Sequence, residues 1–244
     1  DQLLLGLLNI NLNGDFKKTL QYVNNYIGVN PNDIRAQIIL GDLYFQNQEY
    51  IKSISYYYRA NLLNPKNIDA QLYSGISMFY LGEFTDAIEK FNIVYDFDKY
   101  NHLSRYYTGL SYLYLGESRK AIQYLTETLL LNYSNDDVYY YLGLAYKNVG
   151  GKMQAVESFK QSIAFNYSNG YAHYELGKIY EIILKNDLAM EEYQQAIKHI
   201  ENDSISNLTL NLKLGKHKEF NIIPHLRFFL LGAPPLRIYL WRPD

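Results

Sequence analysis

Hydrophobic positions along most of the chain recur with the spacing of helices rather than with the alternation typical of strands. Apolar residues stand three or four positions apart, and short stretches rich in asparagine, glycine or proline separate the apolar segments. One pair of such segments has the skeleton Tyr139, Leu142, Gly143 and Tyr146, then Ala155 and Phe159. The pattern predicts two packed helices joined by a short turn.

This pair is one copy of a pattern that repeats every 34 residues. Small residues form two columns, which are Gly41, Gly75, Gly109, Gly143 and Gly177, and Ser53, Ala87, Ala121, Ala155 and Ala189. Large residues form two more, which are Tyr44, Met78, Tyr112, Tyr146 and Tyr180, and Tyr57, Phe91, Leu125, Phe159 and Tyr193. We expect the small residues where two helix backbones cross closely, and the large residues beside the crossing.

The skeleton and its period resemble those of the tetratricopeptide repeat (TPR) family, in which an aromatic residue, Leu-Gly, Tyr, Ala and Phe occupy paired helices. The resemblance implies an all-α, right-handed α-solenoid of about six tandem helix-turn-helix repeats. Their predicted bounds are 1–33, 34–67, 68–101, 102–135, 136–169 and 170–203. The first repeat is degenerate, as terminal repeats commonly are.

The composition changes after Asp203, since four of the six prolines and the only tryptophan follow it. We predict that residues 204–216 form a C-terminal capping helix, because the apolar end of a solenoid needs cover. A strand is the alternative, since leucines alternate from Leu208 to Leu214. Residues 217–244 form a tail that matches no family pattern.

Charge and composition exclude several classes of partner. The formal net charge of −2 provides no field that would favour nucleic acid or an anionic membrane. Cysteine is absent, which excludes disulfides and thiolate metal sites and leaves the compartment open. The longest apolar run, from Leu226 to Trp241, is interrupted by arginine and proline, so we expect no membrane span.

Motifs for catalysis, cofactors and metals are scarce in the sequence. The five histidines lack His-Glu-x-x-His spacing, and neither Gly-x-Ser-x-Gly nor a glycine-rich phosphate loop occurs. By phase, Gly150-Gly151-Lys152 falls in the turn between the two helices of a repeat, and His173 falls in a packing column. We therefore predict no enzyme, no cofactor and no metal site.

In TPR proteins the first helix of each repeat lines the concave surface, so the resemblance places partner-binding residues there. The predicted groove consists of Leu72, Ile76, Phe79, Tyr80, Tyr106, Leu110, Tyr114, Tyr140, Leu144 and Tyr174. We expect exposure for Tyr80 and for a row formed by Tyr106, Tyr140 and Tyr174. The alternative, that some groove residues pack between helices, stays open, above all for Leu110 and Leu144. Polar residues of the same helices, Asp42 and Asp69 among them, vary between repeats.

The predicted function is that of an adaptor or scaffold, which holds a peptide segment or a helix of a protein partner in this groove. One alternative is that the chain is the TPR region of a larger enzyme such as a glycosyltransferase. Another is that the apolar tail, Ile222 to Trp241, folds back or docks into the groove of a second copy. The lysine, asparagine and arginine cluster with which TPR co-chaperones hold a terminal carboxylate is lacking.

Truncation tests the predicted cap. Deletion after Asp203 removes residues 204–216 and exposes the apolar end of the last repeat, whereas deletion after Lys216 leaves the cap in place. We expect the shorter chain to melt at a lower temperature or to lose solubility, and the longer one to melt as the full chain does, as followed by circular dichroism. Equal stability of the two truncated chains would contradict the prediction.

Overall fold

A computed structural model describes residues 16–200, in which eleven helices and no strand occur. The helices are α1 (Phe16–Val29), α2 (Ile34–Gln46), α3 (Tyr50–Leu63), α4 (Ile68–Leu81), α5 (Phe84–Phe97), α6 (His102–Tyr114), α7 (Ser118–Leu130), α8 (Asp136–Asn148), α9 (Lys152–Phe165), α10 (Gly170–Ile182) and α11 (Asn186–Ile200). None of these helices is long and apolar enough to cross a membrane. The predicted capping helix at 204–216 and the tail at 217–244 lie outside the described residues.

The starts of the first helices recur with the predicted period. α2, α4, α6, α8 and α10 begin 34 residues apart, and a side chain just before each accepts a hydrogen bond from the helix backbone. These N-cap residues are Asp33, Asn67, Asn101, Asn135 and Asn169. Such a cap stabilises a helix by about 1 kcal/mol. The abundant asparagine therefore has a structural role at four of these positions.

Each turn between the two helices of a repeat contains one residue in the left-handed region. These residues are Gln48, Gly82, Gly116, Gly150 and Leu184, with φ angles from 60 to 84°. Glycine adopts this conformation at little steric cost, whereas the β-carbon of Gln48 or Leu184 makes it unfavourable. Gly150 and Gly151 lie in the turn between α8 and α9, as predicted, and Lys152 is the first residue of α9.

The core lies between the paired helices, where the glycine column meets the large residues opposite. A β-carbon added at Gly143 would lie 2.7 Å from Cε1 of Phe159, whose side chain is fully buried. The other glycines of the column meet Tyr57, Phe91, Leu125 and Tyr193 in the same way. The prediction of close helix crossings at these glycines is confirmed.

The described helices divide into two compact units. α1 to α7 belong to an N-terminal unit that ends at Tyr133, and α8 to α11 belong to a C-terminal unit that begins at Ser134. Within each unit, every helix packs on the next one in sequence. In the N-terminal unit α2 also contacts α4, and α4 contacts α6, whereas no two second helices make a comparable contact. Within the N-terminal unit the first helices are thus the more closely spaced row.

Gly143 and Gly28 form a matched pair for testing the crossing. Leucine at position 143 has to displace Phe159, so we expect Gly143→Leu to lower the free energy of unfolding by about 1 to 3 kcal/mol or more. Gly28 lies exposed in α1 with nothing within 4 Å of an added β-carbon. Gly28→Leu should be neutral or stabilising by up to about 1 kcal/mol. Urea unfolding measures both, and equal effects would contradict the packing interpretation.

Leu184 offers a test of the turn. Its side chain is 83% exposed, so Leu184→Gly removes little packing while it relieves the unfavourable positive φ. We expect a gain of up to about 1 kcal/mol in the free energy of unfolding. Leu188→Gly, inside α11, should instead cost about 1 kcal/mol. Thermal unfolding distinguishes the two, and a destabilising Leu184→Gly would show that strain at this turn is absent.

Candidate partner-binding surface

Each unit has a candidate surface formed by its first helices, which are α2, α4 and α6 in the N-terminal unit and α8 and α10 in the C-terminal unit. Six of the ten predicted groove residues are buried, namely Leu72, Ile76, Phe79, Tyr106, Leu110 and Tyr140. Four are half-buried, namely Tyr80, Tyr114, Leu144 and Tyr174. A role of any of the ten in binding a partner stays a prediction.

Tyr106 and Tyr140 do not have the exposure expected of them. Their exposed fractions are 4% and 7%. The ring of Tyr106 lies edge-on to those of Tyr107 and Tyr133, with centroids 5.2 and 6.1 Å apart. The ring of Tyr140 lies 5.9 Å from that of Phe159. Both tyrosines therefore belong to the packing between helices, and the expectation of an exposed row is wrong for these two members.

Half-buried aromatic rings form stacked pairs in the N-terminal unit. Tyr50 stacks on Tyr80 with centroids 5.2 Å apart and planes at 12°, and Phe84 stacks on Tyr114 at 5.2 Å and 9°. Each pair joins the second helix of one repeat to the first helix of the next. Stacking contributes about 0.5 to 1.5 kcal/mol per pair beyond area burial. The partly exposed rings of Tyr80 and Tyr114 are thereby held in fixed orientations.

Two carboxylates without cationic partners lie on the same first-helix surface. Asp42 of α2 is half-buried, and its Oδ1 accepts a hydrogen bond of 2.6 Å from the Tyr57 hydroxyl. Asp69 of α4 is exposed. No lysine or arginine within residues 16–200 forms an ion pair with either of them. Burial raises the pKa of Asp42 to about 6; the hydrogen bond from Tyr57 opposes that rise, and the charge of Asp69 adds to it.

Tyr73 stands one helical turn after Asp69 on α4, and its ring lies beside that of Tyr57, whose hydroxyl binds Asp42. It is half-buried on α4, 6.1 Å from the Tyr57 ring and 6.5 Å from the Phe45 ring between centroids. The pKa of its hydroxyl is raised first by burial and then by the negative charges of Asp42 and Asp69. We call Asp42, Asp69 and Tyr73 the acidic patch.

On the first-helix surface of the C-terminal unit, Glu175 is paired with two lysines, whereas the half-buried Asp137 of α8 is in no ion pair among the described residues, and burial raises its pKa to about 6. Lys147 Nζ lies 2.6 Å from Oε2 of Glu175, and Lys178 Nζ lies 3.2 Å from Oε1. Burial alone would raise the pKa of Glu175, but the two ammonium groups outweigh burial and lower it. Lys178 also lies over the ring of Tyr174, 5.2 Å from its centroid. The carboxylate of Glu175 is therefore already neutralised by the chain itself.

His173 is a buried structural residue, as the packing column predicts. It is 2% exposed, its Nδ1 lies 2.6 Å from Oε2 of Glu192, and its Nε2 lies 3.0 Å from the carbonyl oxygen of Tyr167. Both ring nitrogens thus face protein groups. Among residues 16–200 no cluster of three or more potential metal ligands occurs.

Arg105 is a buried cation that the periodicity did not single out. It is 4% exposed, and its guanidinium lies 3.6 Å from the centroid of the Tyr95 ring and 5.1 Å from that of Tyr124. Its Nη1 lies 3.8 Å from Oε2 of Glu127. These three neighbours stand on the second helices α5 and α7, so the charge of Arg105 faces away from the first-helix surface.

Comparison with known proteins agrees with this architecture. Two family models described as tetratricopeptide repeat match the chain, at residues 34–67 and 108–150. Among curated proteins, no match is found.

Solved structures with similar folds include the MamA protein, with 24% identity, a TM-score of 0.62 and coverage of 70% of this chain and 94% of that one. They also include pilF of Pseudomonas aeruginosa, with 13% identity, a TM-score of 0.72 and coverage of 87% and 96%. A third is YrrB, a TPR protein with an unusual peptide-binding site, with 20% identity, a TM-score of 0.61 and coverage of 78% and 97%. The repeat period, the paired helices and the two matching family models together identify tetratricopeptide repeats in this chain.

Proposed function

We propose that the chain is a protein-interaction scaffold that binds a peptide segment or a helix of another protein on its first-helix surface. The observation that carries the proposal is the set of half-buried apolar side chains there, Tyr80 and Tyr114 in the N-terminal unit and Leu144 and Tyr174 in the C-terminal unit. Partly exposed aromatic residues held on a rigid scaffold are typical anchors of binding energy. A tyrosine contributes apolar area and a hydrogen-bonding hydroxyl at low entropic cost.

Two further observations support the proposal. TPR repeats are typically non-catalytic, which favours binding over catalysis as the role of this chain. YrrB, which shares the fold, is a TPR protein with a peptide-binding site. The first-helix surface also suits a peptide segment. Helices α2, α4 and α6 form a closely spaced row, so successive side chains of a bound segment would contact successive helices.

Selection from a random peptide library against the full chain tests the proposal. We expect enriched peptides whose affinity falls about tenfold or more in the double variant Tyr80→Ala/Tyr174→Ala, because that change removes an anchor from each unit. Tyr58→Ala is the matched control, since Tyr58 is 58% exposed on the second helix α3. Fluorescence anisotropy measures affinity, and thermal unfolding confirms that the variants remain folded.

Two results would contradict the proposal. The first is that no peptide is enriched by the full chain. The second is that the enriched peptides bind the folded double variant as tightly as the wild type, or lose as much affinity in Tyr58→Ala. Tyr106→Ala and Tyr140→Ala are unsuitable for this test, because both side chains are buried and their removal leaves cavities.

A further inference from the structure

The first helices of the N-terminal unit carry negative charge that no cation of the described chain neutralises. α2, α4 and α6 contain only two strongly basic residues, Arg35 and Arg105. Arg35 is paired with Asp33 at 2.9 Å, and Arg105 is buried against the second helices. The charges of Asp42 and Asp69 are therefore available to a binding partner.

Asp42 in its ionised form destabilises the folded chain. The pKa of Asp42 in the folded state, about 6, lies above its ordinary value of 3.8, so the folded state binds the proton more tightly than the unfolded state does. The free energy of unfolding accordingly falls as the pH rises from about 4 to 7 and Asp42 ionises. A cation from outside the chain would offset this loss of stability, because it would neutralise a charge that burial makes unfavourable.

Aromatic rings around the carboxylates complete a surface for a cation. Tyr73 belongs to the acidic patch, and the Phe45 ring next to it lies 5.8 Å from that of Tyr80. The chain itself shows how its tyrosines accommodate ammonium groups, since Lys52 lies 5.0 Å from the centroid of the Tyr44 ring. Carboxylates beside an aromatic face attract lysine and arginine through charge and through the π-system.

We propose that the acidic patch receives a lysine or arginine side chain from an otherwise apolar segment of a partner protein. The cation pairs with Asp42 and Asp69 and lies against Tyr73, while the apolar flanks of the segment contact the half-buried Tyr80. This inference rests on the proposed function and assigns the chemistry of the partner. Glu175 of the C-terminal unit is a different case, because two lysines already surround its carboxylate.

Charge complementarity decides between a basic and an acidic segment. An acidic side chain placed here would face two carboxylates without a counter-cation, and like charges in a partly buried site are strongly unfavourable. A neutral segment would leave Asp42 buried and without a cation. Only a basic segment gains from both features, because its charge pairs with the carboxylates while its apolar flanks are buried.

The test uses three pools of random peptides that differ only in a fixed central residue, which is arginine, glutamine or glutamate. At pH 7 we expect the immobilised full chain to retain the arginine pool about tenfold more than the glutamate pool. Asp42→Asn and Asp69→Asn should each reduce this preference. Asp86→Asn is the matched control, because Asp86 is exposed on the second helix α5, and it should leave the preference unchanged.

Two controls separate charge from folding. The amide oxygen introduced by Asp42→Asn would still accept the hydrogen bond from the Tyr57 hydroxyl, and the substitution removes a buried charge. This variant should therefore melt at a temperature no lower than the wild type at pH 7. The arginine preference of the wild type should grow between pH 5 and pH 7 as Asp42 ionises, and that growth should be absent from Asp42→Asn.

Equal retention of the three pools, or stronger retention of the glutamate pool, would overturn the proposal while the proposed function stands. An unchanged preference in both the Asp42→Asn and Asp69→Asn variants would overturn it as well, since the cation would then bind elsewhere. Retention of none of the pools would overturn the proposed function together with it.

Discussion

The close approach of paired helices at the glycine column is the constraint on which the rest of the structure depends. Where a β-carbon at Gly143 would overlap Phe159, the backbone of one helix touches the ring carried by the other. That contact sets the spacing within a repeat, and the fixed period copies it along the chain. The positions of all surface side chains on the first helices follow from it, including the acidic patch.

Periodicity predicts the packing within each repeat better than it predicts the contacts between neighbouring repeats. The helix starts and the close crossings follow from the 34-residue columns. The burial of Tyr106 does not, because it depends in part on the ring of Tyr133, which stands where the repeat at 34–67 has Pro65. The proximity of Asp42 to Tyr73 likewise joins residues of two repeats that differ in sequence. Specific surfaces arise where the repeats stop being alike.

Charge also differs between the two units, because equivalent positions of different repeats carry different residues. The position that is Asp42 in one repeat is Lys178 in another, four periods further along. In the C-terminal unit the chain supplies both signs, so Lys178 and Glu175 stabilise one another. In the N-terminal unit the charge beside Asp42 is also negative, since it is that of Asp69. A single scaffold thereby holds one carboxylate, Glu175, that the chain itself neutralises and another, Asp42, that favours an external cation.

The pattern of contacts between consecutive helices has a consequence for how the protein can change over evolutionary time. Within each unit, contacts join residues that are close in sequence, so each repeat depends mainly on its neighbours. Duplication or loss of a whole 34-residue repeat keeps every cap, turn and crossing in phase, whereas an insertion of any other length inside a helix disrupts them. Such a chain can lengthen its first-helix surface in fixed steps, and each new step can diverge in charge without loss of the fold.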